Sequence, residues 1–207
     1  MMNKSILLMG TLLVSTFVEI AAQKNSENPN IIFVLADDMG IGDLGCYGQK
    51  KIKTPNIDKL AEKGVLFTNH YSGSTVSAPS RCSLLTGKHT GHAYIRGNKG
   101  IKSEEGFFDL HLPSDEVTVA EILKRKGYAT MCVGKWGLGG PHTTGSPVRK
   151  GFDYFFGYLS QGAAHRYYPE YLYENEDKVM LNKKVYSHFL IMEKGLDFIR
   201  KNAGHPF

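Results

Sequence analysis

Two short stretches carry residue types suited to chemistry. The first is Asp37-Asp38, which closes an apolar run from Ile31 to Leu35. Adjacent carboxylates are hard oxygen ligands, matched to Ca²⁺ or Mg²⁺. The same pair also reads as a turn in which Asp38 caps a helix. The second stretch is SAPSRCSLLTG, residues 77–87. Pro79 suits the first turn of a helix, with Ser77 at or just before its N-cap. A helix start there would point N–H groups and a partial positive charge at whatever Ser77 carries. Arg81, four residues on, shares that face and offers a planar fork to an oxyanion. A plain capped helix with a surface arginine explains the same residues without chemistry.

The elements that must position these residues follow from periodicity and punctuation. Ile31 to Leu35 is short, continuous and β-branched, as in a buried strand of a parallel sheet. Thr54, Pro55 and Gly64 bracket a helix whose apolar face is Ile57, Leu60 and Ala61. The stretch at 65–71, VLFTNHY, resembles a second strand. A helix from about Thr118 stops at Gly127, and a strand runs through Ala129 to Val133. A last helix spans Ser187 to Lys201. Helices alternating with buried strands define an α/β fold, a mostly parallel sheet flanked by helices. Ligands of such sheets lie at the carboxyl ends of the strands. Asp37 and Asp38 sit at one such end, and Lys135 with Trp136 at another, which joins two motifs into one candidate site.

Composition narrows the function. Of 207 residues, 42% are hydrophobic and 22% charged, a globular balance with enough length for one core. The net charge of +5 is mild and no basic block stands out, so nucleic acid is not an expected partner. Residues 1–22 hold Lys4, an apolar run from Ile6 to Val18, and small residues Ala21 and Ala22. That is the layout of a secretory signal peptide, so export to the periplasm or the extracellular space is expected, with no membrane attachment after cleavage. Cys46, Cys82 and Cys132 form neither a disulfide framework nor a metal spacing.

The motifs together carry a resemblance. Ser77, Pro79, Ser80, Arg81, Leu84, Thr86 and Gly87 match the signature of the sulfatase family. NIIFVLADDMGIGDLGCYG upstream resembles its first metal motif, and GYATMCVGKWGLG downstream its Gly-Lys-Trp motif. The intervening PNIDKLAEKGVLFTNHY is similar as well, so the likeness covers residues 29–207. It implies the N-terminal part of a catalytic domain of the alkaline-phosphatase-like fold, incomplete and, alone, inactive. It further implies that Ser77 is oxidised to formylglycine by a maturation enzyme that reads Pro79 and Arg81. One hydroxyl of the hydrated aldehyde then attacks sulfur and expels the ester's alcohol, and the second helps release sulfate by regenerating the aldehyde, an exit that plain serine lacks. Asp37, Asp38 and residue 77 are implied ligands of Ca²⁺, with Mg²⁺ as the alternative. Arg81 and Lys135 are implied catalytic partners. The substrate is an organic sulfate ester, a sulfated small molecule or glycan.

Two features depart from the family pattern. Many sulfatases read Gly-Lys-Trp-His where this chain has Gly137. His142 or His165 is available for the missing role, or the role is absent. His165 lies in a segment that resembles a substrate-facing one, which implies substrate binding; a structural histidine is the other reading. The family's later ligands are not in the 207 residues. Two other readings share these residues: a related phosphoester or phosphonate hydrolase, and a truncated, non-catalytic sulfatase-like protein.

Overall fold

The computed structural model describes residues 28–103 and 106–207. The expected signal segment, residues 1–22, lies outside the described residues. No helix among the described residues is long and apolar enough to cross a membrane.

Four α-helices among the described residues form within a residue or two of where the punctuation placed them. α1 covers Pro55–Lys63, with Pro55 at N1 and Gly64 ending it. Thr54 Oγ1 accepts from Gly45 N at 2.9 Å and donates to Asp58, which also accepts from Cys46 N at 2.7 Å. These bonds tie α1 to the turns before it. α2 covers Ser77–Thr86 and stops at Gly87, whose φ of 67° suits a glycine stop. A hairpin follows, β1 (Gly100–Ser103) against β2 (Gly106–Asp109). α3, Val119–Arg125, opens with a reciprocal capping box between Thr118 and Glu121. α4, Ser187–Asn202, closes the chain.

The main sheet has the order β3-β4-β5-β6: Met131–Lys135, Tyr154–Tyr158, Tyr171–Glu174 and Asp177–Met180. β3 and β4 are parallel, and the other two pairs are antiparallel. The α/β class therefore holds, with a mixed sheet among the described residues. β4 shows why the sheet is buried on both faces. Phe155 packs with Ala78, Cys82, Ile95, Leu112 and Trp136 on the α2 side. Phe156 and Tyr158 point the other way, to Leu172 and the α4 residues Leu190 and Ile191.

Two expected strands are not strands. Residues 31–35 run without a ladder, and Ile32, Phe33 and Val34 are exposed. A strand exists through its neighbours, and here the pairing stops at once: Ile31 N donates to Phe207 O at 2.7 Å, while Ala129 N donates to Pro206 O. Pro206 and Phe207 thus sit between this segment and the start of β3, and no described residue continues alongside. Residues 65–71 likewise join no sheet, and Val65 and Phe67 are exposed.

Candidate active site

Residues 37, 77, 81 and 135, from three separate stretches of the sequence, meet at the carboxyl end of β3. Ser77 is the first residue of α2, one position inside the N-cap, which is Val76. One helical turn later Arg81 points back over it, and its Nε donates to Ser77 Oγ at 3.2 Å. The other two Arg81 nitrogens bind outward. Nη1 donates to the Lys135 carbonyl at 2.6 Å and Nη2 to Asp37 Oδ1 at 3.4 Å. Lys135 Nζ holds both Asp37 oxygens, at 2.9 and 3.2 Å. The Arg81 and Lys135 side chains are only 13% and 11% exposed, so two cations are confined beside one carboxylate. Burial alone would raise the Asp37 carboxyl; the hydrogen bonds and charges of Lys135 and Arg81 outweigh it and hold it below the ordinary value.

Asp38 joins none of these hydrogen bonds. Its φ of 53° turns the chain into the left-handed region, and its side chain is exposed without a partner among the described residues. Aspartate tolerates that conformation better than most residues. Asp37, Asp38 and residue 77 offer the hard oxygens that a divalent cation takes. Ca²⁺ needs about six to eight of them. No group of three or more His, Cys, Asp or Glu among the described residues could hold a metal. The two carboxylates are thus hard-oxygen donors of the right kind but too few for a shell by themselves.

The two histidines separate. His142 Nδ1 lies 3.1 Å from Glu176, which also accepts from Arg149. The adjacent Asn175 bonds Phe155 near the start of β4, whereas Lys135 pairs with Tyr158 at its end. About three residues of strand, roughly 10 Å, part those levels. His142 is thus fixed away from Ser77. His165 is exposed in the turn Ala163–His165 that follows the carboxyl end of β4, the same end as Lys135.

What fills the place beside Gly137 is Gln161. A Cβ on Gly137 would lie 2.0 Å from Gln161 Nε2, and the backbone there has φ +75°. Gln161 is buried, its N–H donates to Asp109 Oδ2 at 2.6 Å, and its Oε1 has no hydrogen-bond partner among the described residues. Burial raises the Asp109 carboxyl against that N–H and the charge of Lys135. Sequence reading missed Gln161 and Asp109; the one available signal was a glycine directly after Lys135 and Trp136. Trp136 itself is structural, buried with Nε1 donating to Gly145 O at 2.8 Å. Burial pushes the Cys132 thiol up to about 12 and raises Cys82 as well, so both remain neutral packing residues.

This geometry, an arginine-linked serine, a lysine and a carboxylate at the end of an α/β sheet, accords with the family comparison. The sulfatase family profile matches residues 29–207, and the chain belongs to that family. It is 48% identical over 142 residues to an N-acetylgalactosamine-6-O-sulfatase of Bacteroides thetaiotaomicron, covering 64% of this chain and 27% of that protein. It is 42% identical over 151 residues to human steryl-sulfatase, covering 68% and 25% respectively. Among solved structures it resembles BT4656 in complex with its substrate D-glucosamine-2-N,6-O-disulfate. That match has a TM-score of 0.66 at 30% identity and covers 86% of this chain and 33% of the other. The chain thus spans about a quarter of the length of these curated relatives.

Proposed function

We propose that this chain carries the nucleophile-bearing part of a formylglycine-dependent sulfuric ester hydrolase acting on a sulfated carbohydrate. The observation that carries the reading is Arg81, whose three nitrogens join Ser77, Lys135 and Asp37. An anionic sulfate next to residue 77 would meet two confined cations and the start of α2, each favourable to developing negative charge. A formylglycine at 77 would supply a geminal diol, one hydroxyl to bond sulfur as the ester's alcohol leaves and the other to release sulfate afterwards by restoring the aldehyde. Arg81 would orient the oxygen of residue 77 through Nε. Lys135 would neutralise oxygens of the sulfate while Asp37 keeps it charged and in place. Asp37 and Asp38 would hold part of the shell of a Ca²⁺, or Mg²⁺, that polarises the ester. His165 would contact the substrate outside the sulfate group. Export follows from the N-terminal segment, and N-terminal sequencing of mature protein should begin just after Ala22. The carbohydrate assignment is supported by the N-acetylgalactosamine-6-O-sulfatase and glucosamine-disulfate relatives.

The test compares a sulfate ester with its phosphate counterpart on the whole encoded protein, matured in a host with a serine-oxidising enzyme. Faster turnover of the sulfate ester is expected. Preference for phosphate would favour the phosphoester or phosphonate reading, and turnover of neither would favour a non-catalytic protein.

A further inference from the structure

α2 begins without a local cap. Helix starts leave their first N–H groups without partners, and a Ser, Thr, Asp or Asn at the N-cap normally accepts one of them. Here the N-cap is Val76, which has no side-chain acceptor. Ser77 Oγ is engaged by Arg81. Pro79 has no N–H, and Ser80 N already reaches Val76 O at 3.2 Å. Of the first-turn donors, those on Val76, Ser77 and Ala78 have no helical acceptor. The Ala78 N–H is taken by Asn98 Oδ1 at 3.0 Å, from a loop 20 residues further on.

The bonded amide belongs to the residue directly after Ser77, whose Oγ accepts from Arg81, so Asn98 is tied to the turn that presents residue 77 to Arg81. Its chemistry suits the place. Asparagine and aspartate cap about equally well, but a carboxylate here would add negative charge beside a site built for an anion. Asparagine caps without charge. Resting on the sulfatase reading for its kinetic consequence, we propose that Asn98 is a positioning residue for residue 77, a neutral long-range cap that stands in for the side chain Val76 lacks.

The test uses Asn98→Ala and Asn98→Asp in the whole, matured protein, with a sulfate ester as substrate and amide hydrogen exchange at Ala78 as a second readout. Asn98→Ala should lower kcat about five- to tenfold, with KM little changed, and speed exchange at Ala78. Asn98→Asp should restore slow exchange and kcat while raising KM about tenfold through repulsion of the sulfate. A merely structural cap would cost Asn98→Ala stability without changing kcat of the folded protein, and that result overturns the proposal. So does Asn98→Asp with wild-type KM. A wild-type protein that hydrolyses no sulfate ester refutes the sulfatase reading instead. Exchange at Ala78 then decides the capping claim alone: unchanged exchange in Asn98→Ala overturns it.

Discussion

Replacing Gly137 by alanine tests whether Gln161 truly occupies the site's missing side-chain position. The backbone at 137 has φ +75°, so any side chain there costs about 1–2 kcal/mol. The new Cβ would also stand 2.0, 2.5 and 2.9 Å from Nε2, Cδ and Cγ of Gln161. Moving only the amide tip does not relieve the last two contacts. The whole Gln161 side chain must leave a buried place, an overpacking cost of about 1–3 kcal/mol. Gly137→Ala should therefore destabilise the protein by about 2–5 kcal/mol. In a Gln161→Ala background the steric part vanishes and only the backbone part stays, so the two changes should couple by about 1–3 kcal/mol. Urea unfolding reads both, with the single tryptophan, Trp136, as a buried fluorescent probe next to the mutated residue. A single variant within about 0.5 kcal/mol of its parent would refute the reasoning. An equal loss with and without Gln161 would do the same.

Other consequences follow from the same contacts. Arg81→Lys keeps the charge but loses the fork that reaches Ser77, Lys135 and Asp37, so sulfate ester kcat should fall about 100-fold or more, measured by steady-state kinetics. His165→Ala should raise KM about tenfold at unchanged kcat if it contacts only bound substrate, whereas His142→Ala should leave both constants alone. Burial would raise the Glu176 carboxyl, but hydrogen bonds and charge from Arg149, with the His142 N–H, bring it from 4.5 to about 2. Its stabilisation is complete above about 4.5 and fades as pH falls toward 2, a small loss because Arg149 and His142 are exposed to screening solvent. Acid unfolding of Glu176→Gln should lack that dependence; a curve parallel to wild type would contradict the assignment.

Much of this arrangement was legible in the residues because its signals are local. Thr118 with Glu121, Pro55 with Gly64, and the glycine after Thr86 each fix a helix end by chemistry within a few positions. The meeting of Asp37, Ser77, Arg81 and Lys135 was also readable, since both acidic and basic motifs fall at the carboxyl ends of strand-like runs. Partnership across the chain was less legible. Residues 31–35 have strand composition, yet a strand needs a neighbour, and pairing ends at Ile31. Ser77 was expected at or before the N-cap; it lies one residue inside, and the cap comes from Asn98, which no local pattern marks. Gln161 was hidden for the same reason: a residue that fills another's empty place is visible only once the two strands lie side by side.

The measurement that bears most directly on the central claim is the mass of the peptide containing residue 77, isolated from a host that has the maturing enzyme. Oxidation of Ser77 to formylglycine removes two hydrogens, so a loss of about two mass units is predicted, together with reactivity toward a carbonyl-directed hydrazine. An unmodified serine mass in folded protein from such a host would contradict the account.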